Sequence, residues 1–175
     1  MHDCKTFETE RLLLRPTHIE DAEYLLKLLN SPKWLEFIGD RNVHSLEDAE
    51  AYIKEKMLPQ YERLGYGNYM VIRKADGAKM GNCGLYDRDG LEAVDIGFAF
   101  LPDYEQQGYA YESARCILDA AFNEFKIPLI AAITTKANSG SQKLIEKLGL
   151  TFKKIINLPD DPEDLMLYEI KNPNR

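Results

Sequence analysis

A chain of 175 residues, 45% of them hydrophobic, is long enough for one domain that buries roughly two-thirds of its unfolded surface. Its net charge of −7, with Lys and Arg scattered singly or in pairs such as Lys153-Lys154, disfavours a nucleic-acid partner and suits cationic partners such as amines. The three cysteines, Cys4, Cys83 and Cys116, have no zinc-site spacing and an odd count unsuited to a disulfide framework, and no apolar run is long enough to cross a bilayer. A cytoplasmic protein without a membrane partner is expected, with one domain over 1–175, since no repeat, low-complexity tract or Gly/Ser linker divides it.

In chain order, Arg11 to Arg15 read as a first strand. Thr17 with Glu20 makes a capping box for a helix through Leu29, with Ala22, Leu25, Leu26 and Leu29 on one face, and Ser31-Pro32 ends it. Ser45 with Asp48 opens another helix that carries Ala49, Tyr52, Ile53 and Met57 at helical spacing. Tyr69 to Arg73, Lys79 to Tyr86 and Val94 to Leu101 form an antiparallel meander, joined by turns at Asp76-Gly77 and Asp89-Gly90. A helix follows from Ala110 to Phe125, then a buried strand from Leu129 to Thr135. The chain closes with a helix from Ser139 to Leu148 stopped by Gly149, and strands near Thr151 to Asn157 and Asp164 to Lys171. The order β-α-α-β-β-β-α-β-α-β-β indicates a mixed α/β fold with helices against one sheet.

The stretch Gln106-Gln107-Gly108-Tyr109-Ala110 is the most informative. It joins a strand to a helix start, where backbone N–H groups lack intrahelical partners and the helix dipole favours an anion such as a pyrophosphate. Gly108 and Ala110 let phosphates approach the backbone.

Four segments carry a family resemblance: Thr9-Glu10-Arg11-Leu12-Leu13-Leu14-Arg15 with Glu20-Asp21-Ala22; Asp95-Ile96-Gly97-Phe98; Gln107-Gly108-Tyr109-Ala110-Tyr111-Glu112-Ser113-Ala114; and Asn138-x-x-Ser141 leading to Glu146-Lys147-Leu148-Gly149. In this order they span nearly the whole chain, which resembles the GCN5-related N-acetyltransferases (GNAT), in the branch of the RimJ/RimL-type ribosomal-protein acetyltransferases. The resemblance implies a mostly antiparallel six- to seven-stranded mixed sheet with helices on both faces. It implies a V-shaped splay between the fourth and fifth strands that receives acetyl-CoA. It also implies that the backbone of Phe98, Ala99 and Phe100 pairs with the pantetheine arm, that the N–H groups of Gln106, Gln107, Gly108, Tyr109, Ala110 and Tyr111 hold the pyrophosphate, and that Asn138 and Ser141 lie near the pantetheine or the sulfur. Trp34, Phe37, Tyr69 and Tyr86 would border the acceptor, with core packing as the plainer role for each. Two departures stand out. Glu105 occupies a place where the family often has Arg or Gln, and Ile145 occupies the place of a frequent proton-donating Tyr.

Alternation places Val94, Ile96, Phe98 and Phe100 on one face of their strand and Asp95, Gly97 and Ala99 on the other, where the small residues leave room for a ligand beside a carboxylate. Amine acetylation needs a neutral amine and a group to accept its proton. Asp95 matches the position of a general base in some relatives and would act through a water; an ion-pair or solvated role weighs equally. Ser141 is the substitute proton donor, set against a role as a packing or capping residue, and a thiolate leaving group with a pKa of roughly 8.5 can depart without a dedicated acid. Cys83 and Cys116 are expected to be core residues rather than nucleophiles, and His2, His18 and His44 exposed or capping, with no metal site. Glu36, Asp87 and Glu92 are candidates to attract a cationic amine, with solvated surface as the default. The leading function is transfer of acetyl from acetyl-CoA to a protein N-terminal α-amine or a small amine, by direct attack in a ternary complex. A non-catalytic acetyl-CoA sensor is the alternative, as a monomer or homodimer in either case.

Overall fold

The computed structural model describes residues 5–174, so Cys4 and His2 lie outside the described residues. An eight-stranded sheet runs β1-β2-β3-β4-β5-β6-β8-β7. Its strands are β1 (Phe7–Glu8), β2 (Leu12–Pro16), β3 (Asn68–Arg73), β4 (Lys79–Tyr86), β5 (Val94–Phe100), β6 (Leu129–Thr134), β7 (Thr151–Ile156) and β8 (Leu165–Lys171). The count exceeds the expected six to seven because β1, a two-residue strand paired with Leu13 and Leu14, is too short to show a period. All pairs are antiparallel except β5 with β6.

The first helix, α1 (Ala22–Leu29), follows a single 3-10 turn. Its cap sits one residue later than Thr17 and Glu20 suggest: the His18 N–H donates to Asp21 Oδ2 at 2.8 Å. Asp21, not Glu20, closes the box because its carboxylate is also buried against Arg15 (2.8 Å) and Lys79 (2.7 Å). The apolar face of α1 is wider than expected, with Ala22, Leu25 and Leu29 packing toward α3 (Leu46–Tyr52) and Tyr24 and Leu28 against Met70. Ser31-Pro32 ends α1 but also begins α2 (Pro32–Phe37), with Pro32 in the first turn where its missing N–H costs nothing. Ser45 caps α3, its Oγ accepting the Asp48 N–H at 3.0 Å. The helix then runs on through a π segment, Ile53–Met57, into α4 (Leu58–Leu64), because Pro59 falls in the first turn after the π bulge.

The remaining helices are α5 (Tyr109–Asn123) and α6 (Ser139–Lys147). They pack on the sheet face carrying Leu12, Leu14, Val71, Cys83, Leu85 and Ile96, through Ile117, Leu118, Ala121 and Ile145. The helix α5 is the crossover between the parallel strands β5 and β6. Those strands pair only at Val94 with Ile130 and Asp95 with Ala131, then separate, which is the expected V. No helix among the described residues is long and apolar enough to cross a membrane.

Candidate functional site

The two faces of β5 divide as alternation requires. Ile96 and Phe100 are buried beneath α5, with Val94 and Phe98 packed against the same core. Cross-strand register then puts Asn82 and Gly84 of β4, beside Ala99 and Gly97, on the opposite face, together with Tyr86 beside Asp95. This second face floors a cleft of about 350 Å³ that reaches from Trp34, Phe37 and Tyr52 to Ile133, Asn138 and Ser141.

The room expected over Gly97 is filled. A Cβ on Gly97 would lie 2.9 Å from Tyr86 Cε2, and one on Gly84 2.9 Å from the Tyr86 hydroxyl and 2.6 Å from the Gly67 carbonyl. The two glycines therefore let the Tyr86 ring lie flat on the sheet. Its hydroxyl donates to Asn68 Oδ1 at 2.5 Å, and Asn68 Nδ2 donates to Thr17 Oγ1 at 2.7 Å, which fixes the ring. Burial pushes the Tyr86 phenol well above its ordinary range.

Asp95 is 1% exposed and accepts from Arg88 Nε at 2.8 Å. Burial raises its carboxyl to about 6, with Arg88 pulling in the opposite direction. The Arg88 guanidinium stands 5.0 Å from the Tyr86 ring centroid and lines the same cleft. Arg88 was not legible as a site residue because a single Arg in a turn gives no pattern.

The second part of the site is the turn before α5. Gln106 and Gly108 both have positive φ, +59° and +83°, so successive peptide planes form a concave nest. The Glu112 N–H makes the first bond of this helix, to the Gly108 carbonyl, and the N–H groups of Tyr109, Ala110 and Tyr111 come before it. The nest is braced by the residue just before β2. Arg11 donates to the Gln107 carbonyl at 3.1 Å and to Glu112 at 2.7 Å, and stands 4.3 Å from the Tyr109 ring centroid. Gln107 Nε2 donates to the Asp103 carbonyl. The Tyr109 side chain is buried in the core, so only its backbone serves the nest. Glu105 points away from an anion-binding role, paired with Lys33 of α2 at 2.5 Å.

The cleft gathers Asp95, Phe98, Ala99, Asn138, Ser141, Trp34, Phe37 and Tyr86. Gln106 to Tyr111 belong to the turn before α5 and to its first residues, not to the cleft wall, and the side chains of two further expected residues, Tyr69 and Phe100, lie elsewhere. The Tyr69 side chain is wholly buried on the α5 face of β3, its ring 5.6 Å from Phe7 and 6.1 Å from Tyr61, so alternation excludes it from an acceptor pocket. The Phe100 side chain packs over Gly81 rather than lining the cleft. Asn138 caps α6, its Oδ1 accepting the Ser141 N–H at 3.2 Å, while both residues line the cleft. Ile145 is 1% exposed in the core, and no Tyr takes its place at that helix position. Cys83 is fully buried with its thiol pushed up to about 12 by burial, and burial also raises Cys116. Asp87 lines the cleft and pairs with Arg63, whereas Glu36 and Glu92 are exposed outside it.

Residues 11–151 match the acetyltransferase (GNAT) domain family. The chain is 27% identical over 166 residues to the uncharacterized N-acetyltransferase YnaD of Bacillus subtilis, covering 93% of this chain and 94% of that protein. Among solved structures, an acetyltransferase from Agrobacterium tumefaciens superposes with a TM-score of 0.82 at 24% identity, covering 97% and 96% of the two chains. The ribosomal L7/L12 alpha-N-protein acetyltransferase RimL, in complex with coenzyme A, superposes with a TM-score of 0.81 at 17% identity, covering 95% and 98%. With the splayed parallel pair, the nest at the head of α5 and a match over most of its length, the chain belongs to the GNAT acetyltransferase family.

Proposed function

We propose that the protein transfers an acetyl group from acetyl-CoA to a primary amine, either a protein N-terminal α-amine or a small amine. The observation that carries this reading is the opening between β5 and β6 beyond the Val94–Ile130 and Asp95–Ala131 pairs, on a chain whose β5 leads into the nest at Gln106–Gly108. The residues fit the cofactor: Gly108 has a left-handed φ that disfavours a side chain, and Arg11 Nη2 stands 3.2 Å from the place its Cβ would take, which sets a guanidinium beside the nest. N–H groups from Gln106 to Tyr111 would hold the pyrophosphate, and the backbone of Phe98, Ala99 and Phe100 would take the pantetheine arm as an added strand. Asn138 and Ser141 would approach the sulfur end. When bound, acetyl-CoA supplies the thioester that the amine attacks directly in a ternary complex.

Asp95 is the group proposed to take the amine proton, through a water, with Arg88 holding it ionised near neutral pH. Neither Cys83 nor Cys116 lines the cleft, which favours direct transfer over an acyl-enzyme. Ser141 is the proposed donor to the departing thiolate. Trp34, Phe37 and Tyr86 would face the acceptor, and Asp87, Asp161 and Glu163 on the cleft wall suit a cationic amine. The α-amine option draws support from RimL, named as an alpha-N-protein acetyltransferase.

The test is release of CoA thiol, followed with a thiol-reactive dye, from acetyl-CoA and a panel of peptides with free N-termini, polyamines and amine drugs. Acceptor-dependent release is expected. Binding of acetyl-CoA with no release across the panel would favour a sensor, a reading to which the buried Ile145 lends some weight.

A further inference from the structure

The cleft wall built from α3, the π segment and α4 carries a row of Tyr52, Lys56 and Gln60, spaced four apart. In an unbroken α-helix, residues eight apart point about 80° away from each other. The π segment adds one residue to a turn, which brings Gln60 back to within about 20° of Tyr52. The same insertion keeps Ile53 and Tyr61, also eight apart, both in the core. Gln60 anchors the row to the end of β4. Its Nε2 donates to the Leu85 carbonyl at 2.8 Å and the Tyr66 carbonyl at 3.0 Å, and its Oε1 accepts the Asp87 N–H at 3.2 Å. Lys56, one turn before Gln60, therefore lines the cleft toward the end where Tyr86 stands beside Asp95, whereas the phosphate nest lies past the other end of β5.

The charges of the cleft divide by wall. Arg88 is committed to Asp95, and Asp87 to Arg63. Among the described residues, Arg41 and Lys56 on the helical wall have no ion-pair partner, and neither do Asp161 and Glu163 across from them. The two acids belong to the loop between β7 and β8, where Asn157 Nδ2 donates to the Glu163 carbonyl at 2.9 Å and Asp161 Oδ1 accepts the Glu163 N–H at 3.0 Å. Pro159 of this loop packs on Gly90, where a Cβ would lie 2.4 Å from Pro159 Cδ, so the acidic wall leans on the turn that bears Arg88. A chain of net charge −7 needs no cations to attract an amine. Uncommitted cations in such a cleft repel the amine unless the same acceptor carries an anion.

We infer that the acceptor is a small amino carboxylate, a free amino acid in the simplest case, whose carboxylate is taken by Lys56 with Arg41 while the acidic loop turns its amine toward Asp95. This assignment rests on the acetyl-transfer reading of the same cleft and names the substrate class. Its nitrogen forms an amide with the acetyl carbon as the thioester C–S bond breaks, and its proton passes through a water to Asp95. An N-acetyl amino acid and the CoA thiol are the products. Trp34, Phe37, Tyr52 and Met57 on the same wall suit an apolar or aromatic side chain. A cleft of about 350 Å³ that also admits the thioester end of the cofactor is small for a ligand site, which fits an acceptor of this size better than a peptide.

The experiment is CoA thiol release at fixed acetyl-CoA from two matched pairs, phenylalanine against phenethylamine and leucine against isoamylamine, by wild type, Lys56→Met and Lys56→Glu. Within each pair only the carboxylate differs. Wild type is expected to show the higher kcat/KM for the amino acid in at least one pair. Lys56→Met should lower that preference about tenfold, the range of one hydrogen bond to a charged group, mainly through KM, and Lys56→Glu should invert it. Differences in amine reactivity cancel when the ratio is compared between enzymes. Lys56 is exposed, and damage to the fold would lower both members of a pair together. A preference that survives in both variants, or a wild type that favours the plain amines, overturns the assignment. Release from peptides with free N-termini alone also overturns it and leaves the acetyltransferase reading standing. Release from no acceptor overturns it as well, and calorimetric titration with acetyl-CoA then separates a wrong acceptor class, with the cofactor bound, from a failed cofactor reading, with none bound.

Discussion

The pH profile of Asp95→Asn tests the chemistry most directly. Asp95 is raised from 3.8 to about 6 by burial, opposed by Arg88, so as a base it is about nine-tenths ionised at pH 7 and about one-tenth ionised at pH 5. For wild type, kcat/KM measured by thiol release at saturating acetyl-CoA is expected to fall about tenfold between those pH values. Asn at 95 keeps the shape but cannot accept a proton, so kcat at pH 7 should drop roughly 10²-fold or more and the acid limb should vanish, with acetyl-CoA affinity retained. Arg88→Met removes the opposing cation, so the limb should move to higher pH and activity lost at pH 7 should return on raising it. Stability carries the same signature. The folded state holds this proton more tightly than the unfolded chain, so the Asp95 contribution is complete below about pH 4 and is lost as pH rises through 6, by about 3 kcal/mol for about two pKa units. Denaturant unfolding of Asp95→Asn should lack that decline. A variant whose turnover stays within threefold of wild type at pH 7, or keeps the acid limb, would refute the assignment of Asp95 as base and leave it an ion-pair partner.

Gly108→Val places a β-branched residue at φ +83°, a strain of about 1–2 kcal/mol or more, with its Cβ against Arg11. Acetyl-CoA should bind at least about tenfold more weakly in a titration, and equal binding would refute the nest as the phosphate site. Gly84→Ala drives a methyl to 2.6 Å from the Gly67 carbonyl and 2.9 Å from Asn68 Cα, which only a backbone shift relieves, so denaturant unfolding should show a loss of about 1–3 kcal/mol and a displaced Tyr86. Burial raises the Asp21 carboxyl, but Arg15, the His18 N–H and Lys79 overcome that and hold it far below the usual carboxylate range. Its stabilisation is therefore present above about pH 4 and lost only as pH falls toward strong acid, and Asp21→Asn should cost about 3 kcal/mol at neutral pH by thermal or denaturant unfolding.

Most of the fold was legible because periodicity is local. The expected strand Lys79 to Tyr86 is β4 residue for residue, and α5 and β6 differ from expectation by two residues or fewer at either end. The failures share a cause. Helix α2 depends on Ser31-Pro32 serving as a stop and a start at once, and β1 exists only through its pairing with β2. Tyr69 and Tyr86 are both strand aromatics, and sequence alone gave them the same role. Register separates them, because Tyr69 stands beside Cys83 on the core face and Tyr86 beside Asp95 on the cleft face. The nest was legible since Gly108 is a local requirement. The Arg88 partner of Asp95 was not, since it is defined by neighbours across the sheet.

Glu105 shows how a departure from the family pattern is absorbed. A carboxylate beside a phosphate nest is unfavourable, yet here its side chain turns to Lys33 on α2 and is only 23% exposed. The charge that would oppose the cofactor instead links the nest to the helix that bears Trp34 and Phe37. A partly exposed pair of this kind contributes only about 0–1 kcal/mol. On the proposed cofactor reading, the backbone N–H groups of the nest are the principal phosphate donors, with Arg11 bracing the turn through the Gln107 carbonyl. Cofactor affinity in this chain should therefore depend more on the geometry at Gln106 and Gly108 than on any single cation.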